Sequence, residues 1–224
     1  MIKGKRFALV YRIAALLFSI AGVLSMLGLF RGEPRPRLLM YYTLQSNILV
    51  IVFFAALTVR TAIGLREKNH RHAGYFSRIE MVCTIDILLT LAVYWVLLAP
   101  TIFSMVEGYS LWTFGNLAVH GITPLLCLAD YIMFTQPRHL KYKDVYFVLI
   151  FPFAYLAGTT VAGLLGYVYM ISSADGNPMR FPYFFCDFDR LGVFALVYIV
   201  VMAVLFLLLS HGFYFIDSKI RKKV

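Results

Sequence analysis

Apolar residues in this chain neither alternate nor recur on one helical face; they run on for twenty or more positions at a time. Six such runs lie at approximately 7–30, 38–59, 79–98, 111–134, 145–171 and 191–215. A helix that crosses a bilayer needs roughly 20 mostly apolar residues, and every run reaches that length. Helices are the form to expect, because an open strand edge in hydrocarbon leaves backbone groups unpaired. A membrane β-barrel would instead show alternating segments of about ten residues. The pattern predicts an all-α integral membrane protein. Residues 1–224 then form a single six-helix transmembrane domain, with short loops and no room for an aqueous domain.

Composition agrees. The chain is 61% hydrophobic and 14% charged, against about 25% charged in ordinary soluble domains. Its net charge of +10 would fit a nucleic-acid partner, but the basic residues gather in particular loops, as topology signals do. With the N-terminus inside, the cytoplasmic side carries sixteen: Lys3, Lys5, Arg6, Arg12, Arg60, Arg66, Lys68, Arg71, Arg78, Arg138, Lys141, Lys143, Lys219, Arg221, Lys222 and Lys223. Five remain outside: Arg31, Arg35, Arg37, Arg180 and Arg190. The positive-inside rule then places both termini in the cytoplasm, and a bacterial cytoplasmic membrane is the expected host. No nucleic-acid partner is expected. The basic N-terminus followed by an apolar run imitates a signal peptide, but the run is too long and no A-x-A site follows, so it reads as a retained span. Cys83, Cys127 and Cys186 form no C-x-x-C pair and imply no disulfide framework. No metal is expected: His70 and His72 lie in a strongly basic loop, and His120 lacks a matching ligand set. No cofactor is expected either.

Topology sorts the polar residues within the runs. Each ionisable group at membrane depth is costly and therefore a candidate for function. Arg12, Asp86 and Asp130 fall toward the cytoplasmic side, Asp86 roughly 10 Å deep. Charges of opposite sign at similar depth read as an ion-pair cluster or as a proton relay. Thr43 and His120 fall in the outer half, roughly 8 and 13 Å in from the outer face. Thr43 and Asn47 are spaced i, i+4 and share a helix face, as do Asn116, His120 and Pro124. Tyr155, on the fifth run, reaches the same depth. The long outer loop, Ser172–Arg190, is rich in aromatics and prolines and reads as an ordered cap at headgroup level, where amphipathic rings prefer to sit.

Chemistry gives a reason to pair Thr43 with His120. A threonine hydroxyl becomes a nucleophile when an adjacent base takes its proton, and histidine is the usual base. Asn47, Asn116 and Tyr155 are candidates for orienting the pair or binding an oxyanion. The plainer alternative is that Thr, Ser and Asn hold helices together, as they commonly do in membranes.

At these residues the chain resembles the six-span androgen-induced protein family, which includes the androgen-dependent regulator of tissue factor pathway inhibitor, and its bacterial relatives. The matching features are Y-Y-T-L-Q-S-N around Thr43, the His-x-x-x-Pro spacing of His120 and Pro124, F-P-F-A-Y ending at Tyr155, and the late P-Y-F-F-C-D-F-D. They extend over most of the chain in the family's order. The late segment departs from the Y-P-F-L-D form of the relatives. The resemblance implies intramembrane hydrolysis of fatty acid esters of hydroxy fatty acids or similar lipids, with Thr43 as nucleophile and His120 as base. The implied partners are membrane lipids and a lipid ester substrate. Two other classes stay open: a small proton-coupled transporter or channel using Asp86, Asp130 and His120, and a non-catalytic scaffold or lipid-binding protein.

Overall fold

The computed structural model describes residues 4–66, 77–100, 110–135, 140–172 and 176–220. Lys3, Lys68, Arg71, Arg138, Arg221, Lys222, Lys223, His70 and His72 lie outside the described residues. Among the described residues six helices are long and apolar enough to cross a membrane: α1 Lys5–Met26, α2 Tyr42–Leu65, α3 Arg78–Leu98, α4 Phe114–Phe134, α5 Tyr142–Leu164 and α6 Phe194–Lys219. The protein is thus a six-helix, multi-pass membrane architecture.

Helix ends shift from the apolar runs for local reasons. α1 stops at Met26 because Gly28 takes a left-handed conformation at φ +76°, which a glycine adopts without a Cβ penalty. Pro36–Met40 forms a 3₁₀ turn, so α2 starts at Tyr42 rather than Leu38. α2 then continues to Leu65, past the expected end at Val59. α5 opens with a 3₁₀ segment, Tyr142–Leu149, and ends at Leu164. The last residues of the fifth run leave the helix: β1, Met170–Ile171, pairs antiparallel with β2, Pro178–Met179. This small hairpin and the short helix Phe188–Leu191 make up a cap over one end of the bundle. Arg180 forks onto the Asp189 carboxylate and ties the two together.

α3 is the central helix. Its Cys83 and Ile87 join Ala15, Phe53, Phe54 and Cys127 in one core cluster, while its Met81, Ile85 and Leu89 join Tyr131, Val148 and Phe206 in another. Half of the α3 and α4 spans is buried, against 17% of α5 and α6. The outward sides of α5 and α6 expose Phe153, Val161, Leu164, Val197, Val200 and Leu208, a surface far more apolar than water-facing proteins tolerate.

Small residues let α1 and α4 approach. A Cβ on Gly22 would stand 2.6 Å from that of Ala118, and one on Gly115 would stand 2.8 Å from the Met26 nitrogen. Close backbone approach of this kind drives helix association where lipid removes the hydrophobic difference.

At the opposite end from the cap, buried charges lock three helices. Arg12 of α1 donates from Nε to Asp130 Oδ1 at 2.8 Å and from Nη2 to Oδ2 at 3.0 Å, while Nη1 donates to Thr61 Oγ1 at 2.7 Å. Glu80 of α3, not singled out from the sequence, lies 3.8 Å from the same guanidinium. Asp86 stands apart from this cluster. Its Oδ1 accepts from the Tyr42 hydroxyl at 3.2 Å.

Replacing Gly115 with Ala forces Cβ into the α1 backbone and should cost about 1–3 kcal/mol, seen as a lower thermal midpoint in detergent. Arg12→Met leaves the Asp130 and Glu80 carboxyls without their cation. It should destabilise by about 3–5 kcal/mol, a larger drop in the same measurement.

Candidate functional site

The first turn of α2 lacks a capping side chain. Its N-terminal neighbour Tyr41 is extended, ψ 143°, and carries no short oxygen to accept the free N–H groups of the turn. Two tyrosine hydroxyls from elsewhere in the chain supply the acceptors. Tyr155 of α5 accepts the Tyr42 N–H and donates to the Met40 carbonyl at 3.2 Å. Tyr183 of the cap meets both the backbone N–H and the hydroxyl of Thr43. Burial pushes the Tyr183 hydroxyl's pKa up, and these hydrogen bonds from Thr43 pull the other way.

These hydroxyls stand at the polar end of an apolar cavity of about 830 Å³, counted to its open mouth, between α2, α3, α5, α6 and the cap. Thr43, Thr90, Tyr155 and Tyr183 are its oxygen-bearing groups, with the Tyr42 ring beside them. Leu89, Val93, Phe153, Leu156, Met202 and Phe206 are among the side chains that make it apolar. Ser46 Oγ and Thr90 Oγ1 lie 3.1 Å apart behind Thr43, and Thr90 Oγ1 donates to the Asp86 carbonyl at 3.1 Å. Cys186 also borders the cavity, but burial pushes its thiol up to about 11, which leaves little thiolate near neutral pH.

His120 lies within a π-helical turn of α4, Ala118–Ile122. Pro124 accounts for that turn. It has no N–H to offer the carbonyl four residues earlier, and its ring crowds that carbonyl. The freed acceptor is the carbonyl of His120 itself, and Trp95 Nε1 donates to it at 3.0 Å. Trp95 sits in a second π-helical turn, Tyr94–Leu98, at the end of α3. Inserted turns of this type recur at functional sites. The imidazole stacks on the Tyr94 ring with centroids 3.6 Å apart and planes at 17°. Nδ1 meets the Asn116 carbonyl at 3.2 Å. A carbonyl only accepts, so Nδ1 carries the proton there, and a neutral ring keeps its lone pair on Nε2.

The two asparagines bind the elements of the site together. Asn116 Nδ2 donates to the Tyr94 hydroxyl at 2.7 Å and to the Leu111 carbonyl at 2.8 Å, which fixes the ring under the histidine. Asn47 Nδ2 donates to the Thr43 carbonyl at 2.8 Å and to the Val119 carbonyl at 3.1 Å. Thr43 and His120 are thereby joined through Asn47 and the α4 backbone. No hydrogen bond links the Thr43 hydroxyl to the imidazole, and His120 does not border the cavity. The Oδ1 atoms of Asn47 and Asn116 are buried without a partner among the described residues.

Of the residues singled out in the sequence, Thr43 and Tyr155 meet at the cavity. Asn47, Asn116 and His120 form the adjoining layer. Arg12 and Asp130 pair at the opposite end of the bundle, and Asp86 joins the Tyr42 hydroxyl. Tyr94, Trp95 and Tyr183 were not read as site residues. A tryptophan within a membrane-length run was the one available signal for the second. Among the described residues no group of three His, Cys, Asp or Glu side chains is placed to hold a metal ion. Comparison with protein-family models, with curated proteins and with solved structures found no match.

Trp95→Phe strips the His120 carbonyl of its donor and should lower stability by about 1–3 kcal/mol. Adding Pro124→Ala restores an N–H one turn on, so the double variant should recover part of the loss. Thermal unfolding of the four proteins of this cycle measures the coupling.

Proposed function

We infer that this chain hydrolyses lipid esters within the membrane, with both termini on the cytoplasmic side, Thr43 as nucleophile and His120 as general base. The observation that carries the reading is the position of Thr43. It is a buried hydroxyl at the polar end of a cavity whose remaining wall is apolar. An acyl chain fits the apolar wall, and its ester carbonyl is then held beside Thr43. Long-chain esters reach such a cavity from the bilayer without crossing water. The basic bias of the loops supports the direction of insertion. With that direction the cap, the cavity mouth and Thr43 face the outer leaflet.

His120 supports the reading through its proton. With Nδ1–H held by the Asn116 carbonyl, Nε2 is the free basic position. The stack on Tyr94 and the Nδ1–H bond to the Asn116 carbonyl hold the imidazole in one orientation. The mechanism asks for one movement: the Thr43 hydroxyl must leave Tyr183 and meet Nε2 as the ester binds. Catalytic hydrogen bonds often tighten only with substrate present. Asn47 keeps the two elements in register for that step, since it bonds to both.

The proton-relay reading finds less support. Both oxygens of Asp130 are held by Arg12, which takes that carboxylate out of any path linking it to Asp86 and His120. The resemblance to the androgen-induced family points toward hydrolysis as well, and stands as part of this proposal.

The test uses the full chain in detergent micelles and a fluorophosphonate probe with a long alkyl tail, followed by peptide mass spectrometry. Label should appear on Thr43, vanish in Thr43→Ala, and form at least about a hundredfold more slowly in His120→Ala. Undiminished labelling of Thr43→Ala would remove the nucleophile assignment.

A further inference from the structure

Three tyrosines border the cavity, and two of their hydroxyls have fixed acceptors. Tyr155 gives its proton to the Met40 carbonyl and Tyr42 gives its proton to Asp86. Tyr183 differs. Its oxygen takes the backbone N–H of Thr43 and lies against the Thr43 hydroxyl, while among the described residues no carbonyl or carboxylate accepts from it. The ring itself is held independently of the hydroxyl. It stacks on Phe185 with planes at 5° and centroids 5.1 Å apart, and meets Tyr41 edge-on at 5.9 Å. The side chain borders the cavity together with Thr43.

We propose that Tyr183 is a catalytic residue of the same site, the hydrogen-bond donor that binds the ester carbonyl and then the oxyanion formed when Thr43 attacks. This rests on the hydrolase reading of Thr43. Two features fit Tyr183 for the task. The Thr43 N–H, at the positive end of the long α2 helix, polarises the phenol and strengthens it as a donor. The apolar wall around it raises the value of a fixed dipole aimed at developing charge.

An arriving carbonyl accepts the Tyr183 O–H, and the Thr43 hydroxyl turns from the phenol oxygen toward His120. Thr43 Oγ then bonds to the carbonyl carbon as its proton passes to His120 Nε2. The carbonyl π pair moves onto oxygen, where Tyr183 holds it by a hydrogen bond without surrendering its proton. Collapse breaks the bond to the leaving alkoxide, which takes the proton back from His120. Water, activated by the same imidazole, completes the hydrolysis of the acyl-Thr43 ester. Because the cap carries this donor, substrate binding and oxyanion stabilisation are joined to the hairpin and short helix that Arg180 and Asp189 hold together.

Two measurements on Tyr183→Phe, in the full chain in detergent micelles, test the assignment. The first is the infrared C=O stretch of bound 2-tridecanone carrying carbon-13 at the carbonyl, a ketone that cannot be hydrolysed. The band should lie at lower frequency in the wild-type protein than in empty micelles and return to the micelle value in Tyr183→Phe. The second is the rate of fluorophosphonate labelling of Thr43, which should fall about a hundredfold, measured well below the thermal midpoint of the variant, which loss of the acceptor for the Thr43 N–H lowers. An identical ketone band in both proteins, or equal labelling rates, overturns the role of Tyr183. A Tyr183-dependent band with no label on wild-type Thr43 retains the carbonyl donor and removes the hydrolase reading instead.

Discussion

Backbone groups without partners inside an apolar bundle must find side chains to bond, since water is not at hand, and that requirement organises the region around Thr43 and His120. Two openings in the regular helix ladder create the demand. Pro124 frees the carbonyl of His120, and the indole of Trp95 takes it. The start of α2 frees two N–H groups, and the hydroxyls of Tyr155 and Tyr183 take those. Each repair reaches across the bundle to a different element. The polar layer is therefore assembled from α2, α3, α4, α5 and the cap at once, which is how a set of weak sequence features becomes a single site.

The other end of the molecule meets a similar demand with charge. Arg12 spans Asp130, Glu80 and Thr61, tying α1, α2, α3 and α4 into one block. Above it, Gly22 and Gly115 keep α1 and α4 close enough that nothing else fits between them. α5 and α6 are packed less fully, and the cavity lies where they meet α2 and α3.

Much of the site was legible for the reason that polar groups are costly at membrane depth. Thr43, Asn47, Asn116, His120 and Tyr155 each stood out on that ground, and all five fall in or beside the cavity layer. The residues that escaped notice did so for physical reasons too. Tyr183 lies in a loop full of aromatic rings, where interfacial anchoring is a sufficient explanation. Tyr94 looks like one more apolar ring until it is seen under the imidazole. Glu80 sits near a helix start, where an acidic residue is favoured by the helix dipole, so nothing marked it as a partner of Arg12. Asp86 was grouped with Arg12 and Asp130 by depth, but depth carries no information about partner, and its carboxylate accepts from the Tyr42 hydroxyl instead.

What the sequence determined by itself is everything that depends on length and hydropathy: six helices long enough to cross a membrane, and the few polar residues set within them. Those properties are summed over twenty residues at a time, so local detail does not disturb them. Tertiary structure decided the matters of rotation and partner: which tyrosine faces Thr43, which donor satisfies the carbonyl opposite Pro124, and which carboxylate Arg12 selects. A uniformly apolar helix has no amphipathic stripe to fix its rotation. Only the packing of small residues and the pairing of buried polar groups set the azimuth of each helix, and both exist only once the bundle is assembled.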